Sequence, residues 1–244
     1  MKKVLICLLT ISLFLLFGCQ NRNTNGGTDV EGTPSEEISG DENDLVFISP
    51  DTIWGIDVRS IGELNEVRHK LSCSDEEFNE YFGSRMTKEN LAYFLDLVDS
   101  IPYVPIVDGD IIWISYCHER SIDSGKYLKS LIISTEPENG EWTRLSYMFS
   151  ISDEPDVDEP VTTSPPQEAT LFATPILSDD GGISVFAERR GDHPSGTGDF
   201  IEWYAHVDGI YTVIYYYVPD ADQVDTSELF GQLSVCRIGT TIEE

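Results

Sequence analysis

The sequence predicts an α+β fold: an early helical segment, then an antiparallel, hairpin-rich sheet, then a short C-terminal helix. Three observations predict it. Apolar residues recur at helical spacing only between residues 60 and 100. From Tyr103 onward the apolar period drops to two, with β-branched and aromatic residues at alternating positions. Asp-Gly pairs at 108–109 and 208–209 sit between such alternating runs, as in two-residue hairpin turns.

The elements follow in order. TIWGIDV (52–58) reads as a short strand. Ser60 with Glu63 makes a capping box ahead of Ile61, Leu64, Val67 and Leu71 at helical spacing. Ser74 with Glu77 repeats the device before Phe78, Tyr81 and Phe82. Thr87 opens a third helix, whose apolar face of Leu91, Phe94, Leu95 and Val98 closes near Pro102. YVPIV-DG-DIIWISYC and FIEWYAHV-DG-IYTVIYYYV read as hairpins. Further strands are predicted at 127–134, 142–150, 169–176, 183–189 and near 234–237, with a short helix after Asp225 capped through Glu228. VDGDIIWISY (107–116) and VDGIYTVIYY (207–216) match at five of ten positions and raise the question of a duplication, although the flanking segments do not follow suit.

The chain divides into three parts. Residues 1–18 read as a signal peptide: Lys2 and Lys3, then the fourteen-residue run Val4 to Phe17 broken only by Thr10 and Ser12. That run is shorter than the ~20 apolar residues of a membrane span. Leu16-Phe17-Gly18-Cys19 resembles the lipobox of bacterial lipoproteins. The resemblance implies cleavage after Gly18, a diacylglycerol on the Cys19 thiol, and a protein lipid-anchored to a bacterial membrane, facing outside the cytoplasm. In a two-membrane cell, Gln20 in place of Asp favours the outer membrane by the family's rule. Residues 19–44 would then be the lipidated cysteine and a flexible acidic tether, since residues 20–44 hold no aromatic and only Val30 and Ile38 as aliphatics. As a Gly/Ser-like coil the tether spans roughly 25–30 Å. Residues 45–244 are expected to form a single α+β domain, interrupted at 152–168 by an acidic excursion with four prolines and six acids. In layout this domain is similar to uncharacterised envelope lipoproteins.

Charge excludes some partners. Of 15 basic residues, two leave with the signal peptide, so 13 face 44 acidic ones and the mature chain carries a formal charge of −31. Such a field repels nucleic acid. The lipoprotein resemblance implies the membrane as a partner, through the lipid anchor, and an envelope protein or small-molecule ligand is the further partner expected. Cys73, Cys117 and Cys236 remain after Cys7 is removed and Cys19 acylated, which leaves one disulfide with a free thiol or three free thiols.

The chain lacks G-x-S-x-G, H-E-x-x-H, C-x-x-C, G-x-x-x-x-G-K and G-x-G-x-x-G. No catalytic residue, metal site or cofactor is nominated. Cys117-His118-Glu119 would need strand neighbours to point one way, and His118 is expected to end a strand at the surface. His69 and His206 read as singletons. Asp220-Ala-Asp222-Gln-Val-Asp225 lacks the glycine and terminal glutamate of a calcium loop. Two binding candidates stand out. The segment ERRGDHPSGTGDF (188–200) places Arg189, Arg190 and His193 beside a Gly/Ser loop, with Trp203 following, where an arginine can hold a ligand carboxylate. The second is the face exposed by the run Tyr215-Tyr216-Tyr217, with Trp54, Trp113, Trp142 and Trp203 as other candidate groove aromatics. The leading reading is a non-catalytic binding module of the envelope. The alternative is an envelope hydrolase using acidic residues, which would show a carboxylate pair with raised pKa in a cleft. A transporter's solute-binding component would need two lobes with parallel sheets, which the hairpin pattern opposes.

Overall fold

A computed structural model describes residues 45–46, 51–137, 140–193 and 198–238. The signal segment 1–18, Gly18, Cys19 and the tether 19–44 lie outside the described residues. After strand β1 (Thr52–Val58) come three helices: α1 (Ile61–His69), α2 (Asp75–Phe82) and α3 (Lys88–Ser100). Each starts where a side-chain oxygen meets an unpaired backbone N–H of the first turn. Ser60 Oγ accepts from Glu63 N at 3.0 Å and Thr87 Oγ1 from Asn90 N at 3.1 Å. Ser74 and Glu77 form the full reciprocal capping box.

Strands follow: β2 (Pro102–Tyr103), β3 (Asp110–Arg120), β4 (Tyr127–Glu136), β5 (Trp142–Ser152), β6 (Thr170–Leu177), β7 (Ile183–Asp192), β8 (Asp199–Val207) and β9 (Ile210–Val218). Helix α4 (Thr226–Gly231), capped by Asp225, precedes the two-residue strand β10 (Cys236–Arg237). Eight strands make one sheet in the order β1-β3-β4-β5-β9-β8-β7-β6, and every pairing is antiparallel. The fold is α+β and dominated by its sheet. Residues 45–244 cluster as one compact unit. No helix among the described residues is long and apolar enough to cross a membrane.

One of the two expected hairpins forms. Val207 pairs with Ile210, and Asp208 (φ 47°) with Gly209 (φ 81°) turns the chain in two residues of positive φ. At 108–109 there is no hairpin: Tyr103 pairs with Cys236 of β10, and β3 pairs with β1 and β4. Gly109 serves a close approach instead, since a Cβ there would stand 3.0 Å from Pro137 N. The two similar segments therefore take different places, β3 beside β1 and β4, β9 beside β5 and β8.

The helices cover one face of the sheet. Leu64, Val67, Phe78, Leu91, Phe94 and Val98 join Ile114, Tyr116, Leu131, Ile133, Leu145 and Tyr147 in the main core. Phe230 of α4 meets Trp203 edge-on at 4.9 Å. Residues between these on the strands face the other way. There Ala187, Tyr204 and Tyr211, with Met148, Phe186 and Val213, form a second, smaller cluster. The excursion at 152–168 is tied down at several points. Asp158 accepts from Tyr93 Oη at 3.1 Å and pairs with Lys129, and Val161 N donates to Met148 O at 3.1 Å. The three cysteines are free thiols.

Candidate functional site

Strand alternation splits the residues of segment 188–200 between the two faces. Glu188 and Arg190 pair across the ladder with Trp203 and Ile201 on the helix side; Arg189 pairs with Glu202 on the helix-free side. Trp203 is fully buried in the main core. Arg190 is a brace. Its Nη1 donates to Ala221 O, its Nη2 to Val224 O at 3.0 Å and Thr226 Oγ1 at 3.2 Å, and its Nε to Glu188 Oε1 at 3.2 Å. These residues floor an open cleft of about 400 Å³ between Phe172, Ile176 and the 222–227 segment. Its arginine is already spent on the protein's own carbonyls and carboxylate. The sequence-predicted set Arg189, Arg190, His193 and Trp203 is thus not one site.

The helix-free face brings other residues together. Trp142 of β5 lies opposite Tyr217 of β9, and Arg144 opposite Tyr215. Trp142 stacks on Tyr217 (5.7 Å, 16°) and on Tyr215 (5.1 Å, 22°), and Tyr215 stacks on Phe200 of β8 (5.3 Å, 13°). The run of near-parallel rings has a cation or imidazole at each end. The Arg189 guanidinium lies 5.2 Å from the centre of the Phe200 ring, and His193 meets Tyr217 edge-on at 4.7 Å. Arg144 lies over Tyr215 at 5.5 Å. Tyr216 points the other way and stacks on Trp203 at 5.8 Å. Two of the three consecutive tyrosines therefore belong to this patch, as period-two alternation requires.

Electrostatics divide the two arginines of the patch. Glu202 Oε2 accepts from Arg189 Nε and Nη2 at 2.7 Å and from Tyr204 Oη at 2.6 Å. Burial is the strongest single influence on Arg189 and works against its charge, but the hydrogen bond and the charge of Glu202, with smaller contributions from Tyr204 and Glu168, together outweigh it and the pKa lies above the ordinary value. Arg144 has no such bonded partner among the described residues, and burial pulls its pKa down. Burial pushes the pKa of the Tyr215 hydroxyl up to about 12 and pulls that of the His193 imidazole down.

Elsewhere the histidine expectations divide. His69 is exposed on α1, and His206 lies 5.1 Å from the Phe186 ring. His118 is not at the surface: it is 5 % exposed on the helix side, across from Lys129, because β3 places it in phase with Ile114 and Tyr116. Asp220 caps a single turn, accepting from Asp222 N at 3.1 Å and Gln223 Nε2 at 2.6 Å. Among the described residues no group of three His, Cys, Asp or Glu could hold a metal ion. Glu119, whose carboxyl burial pushes above its usual range, sits beside Cys117 and does not line the cleft at Phe172 and Ile176. Sequence reading missed Arg144, Phe200, Glu202, Ser134 and the role of Trp113, whose placement depends on strand register rather than on any motif. No protein family, curated protein or solved structure matches the chain.

Proposed function

We propose that the chain is a lipid-anchored, non-catalytic binding module displayed outside the cytoplasm of a bacterium, and that it docks a protein partner on the helix-free face of its sheet. The lipobox-like Leu16-Phe17-Gly18-Cys19 supports the anchor. The single observation that carries the docking reading is the patch itself: the chain of ring contacts Tyr217–Trp142–Tyr215–Phe200, with Arg144 over Tyr215 and Arg189 over Phe200, on the side of the sheet away from the helices. Trp, Tyr and Arg are the residues that dominate binding energy at protein interfaces, because they desolvate large rigid surfaces at low entropic cost. A purely structural ladder of aromatics would need no guanidinium among its rings that lacks a bonded carboxylate, as Arg144 does among the described residues.

Hydroxyl-radical footprinting tests this without knowledge of the partner. On intact cells, Trp142 and Tyr217 should be modified several-fold more slowly than in the purified full chain, while Tyr81 on α2 is modified equally in both. Equal rates at Trp142 and Tyr217 in the two samples would overturn the docking face. Cys19→Ala should move the protein from the membrane to the soluble fraction; retention at the membrane would overturn the anchor.

A further inference from the structure

Among the described residues Arg144 is a cation with no carboxylate in ion-pair contact. The chain has 44 acidic residues, and Arg68, Arg189, Arg190 and Arg237 each hold a carboxylate. Arg144 holds none among the described residues. Its Nε is buried with no hydrogen-bond partner there, and the nearest carboxylate of the patch, Glu202, is committed to Arg189 and Tyr204. Register explains what surrounds it. Trp113 of β3 pairs with Ser134 of β4, and Ser134 pairs with Arg144 of β5, so the three form one row across adjacent strands. Neighbouring strands lie about 4.8 Å apart, which sets the outer two Cα atoms about 10 Å apart. An indole and a guanidinium readily close that span. Ser134 is only 6 % exposed although it sits on the face away from the helices. Trp113 Nε1, like Arg144 Nε, is buried without an acceptor among the described residues. Buried donors are seldom left without acceptors, and a buried charge is costly until paired.

Two orphan donors on residues that flank Ser134 in one cross-strand row call for an acceptor-rich group of negative charge. The planar guanidinium fork matches a carboxylate. The source of that carboxylate follows from the surroundings. Trp142, Tyr215 and Phe200 spend ring faces on one another, so they have less to offer a sugar ring. The field of a chain with formal charge −29 opposes polyanions. A single carboxylate flanked by apolar side chains meets neither objection. We infer that Arg144, with Trp113 and Ser134, is the anchor point for one aspartate or glutamate side chain of the protein partner, whose neighbouring apolar residues lie on the ring stack. This rests on the docking-face reading and names the chemistry the face selects.

The test uses the full chain labelled with 15N and watches the Trp113 indole N–H and the Arg144 Nε–H by NMR. The probe is N-acetylglutamate methylamide, with N-acetylglutamine methylamide as its neutral isostere, and glucuronate and inorganic phosphate as other anions. Both resonances should move saturably with the glutamate probe, at roughly millimolar half-saturation for a single charged contact. The glutamine isostere should bind about tenfold more weakly or not at all. Arg144→Gln should abolish the response while the amide spectrum stays dispersed. Trp113→Phe, which removes one N–H and little volume, should weaken binding about threefold with the Arg144 signal still moving. Equal responses to glutamate and glutamine probes, or a persisting response in Arg144→Gln, overturn the proposal. Saturation by glucuronate or phosphate at one-tenth the concentration overturns the assignment to a polypeptide. Failure of every anion, with Trp142 and Tyr217 still protected on cells, rejects the anchor alone and leaves the docking face standing.

Discussion

Replacing Thr226 with valine should destabilise the fold sharply, because one hydroxyl joins three partners at the seam between sheet and C-terminal segment. Thr226 is 6 % exposed. Its Oγ1 donates to Glu188 Oε2 at 2.7 Å and accepts from Trp203 Nε1 at 3.1 Å and Arg190 Nη2 at 3.2 Å. Valine has nearly the same shape, so packing is kept while the polar centre is lost. The bond to the carboxylate is the strong one, at about 1.5–3 kcal/mol for a charged partner. The donors are not orphaned, since Trp203 Nε1 keeps Glu188 Oε2 at 3.3 Å and Arg190 keeps Val224 O. The net loss should therefore be about 2–3 kcal/mol. For a chain of this size that lowers Tm by about 4–12 °C. Scanning calorimetry measures it. Thr226→Ser keeps the oxygen and removes one methyl, costing about 1 kcal/mol. A Thr226→Val protein melting within about 1 °C of wild type, or a serine variant that falls as far, would refute the account of this seam.

Two further outcomes follow from buried titratable groups. Burial, then the charge of Lys129, lowers the pKa of His118 below 6.5, against the opposing pull of Asp156 and Asp158. The unfolded chain then binds the proton more readily than the folded one, so stability is full above pH 6.5 and falls as the pH drops toward the folded pKa. Tm should decline less between pH 6.5 and 5 in His118→Gln than in wild type, and parallel curves would reject the assignment. Burial, reinforced by the charge of Glu119, pushes the Cys117 thiol up to about 12. Iodoacetamide at pH 8 should leave Cys117 unmodified until denaturant is added, as read by peptide mass spectrometry, since only the thiolate reacts. Rapid native labelling of Cys117 would contradict its placement.

Much of the architecture was legible because its signals are local. Ser74 and Glu77 announce a helix start within four residues, and the capped helices stand where period and cap agree. The turn at Asp208-Gly209 was equally readable, because positive φ at two positions is a local demand. Asp108-Gly109 carries the same letters for a different reason, the close approach of Pro137, which lies far along the chain. The site was half legible. Alternation within Tyr215-Tyr216-Tyr217 forces two rings onto one face. Which partners meet them depends on β5 pairing with β9 across some 70 residues of chain, and no local pattern encodes that register. The same blindness grouped Arg189 with Arg190, whose adjacency in sequence sends them to opposite sides of the sheet.

That opposition has a mechanical consequence. β7 presents Arg190 to the C-terminal segment on one face and Arg189 to Glu202 and Phe200 on the other, one residue apart. Trp203 on β8 bonds Thr226 on the helix side while its neighbour Glu202 holds Arg189 on the helix-free side. A ligand carboxylate that drew Arg144 toward itself would act on Tyr215, which touches both Arg144 and Phe200. The ring stack is thus braced from behind by the seam at Glu188, Arg190, Thr226 and Trp203. Loosening that seam should relax the spacing of the rings as well as lower the melting temperature. In Thr226→Val the near-ultraviolet circular dichroism of the aromatic stack should weaken at temperatures well below unfolding. An unchanged aromatic spectrum in a destabilised variant would show that the two faces are independent and that the sheet, not the seam, sets the geometry of the patch.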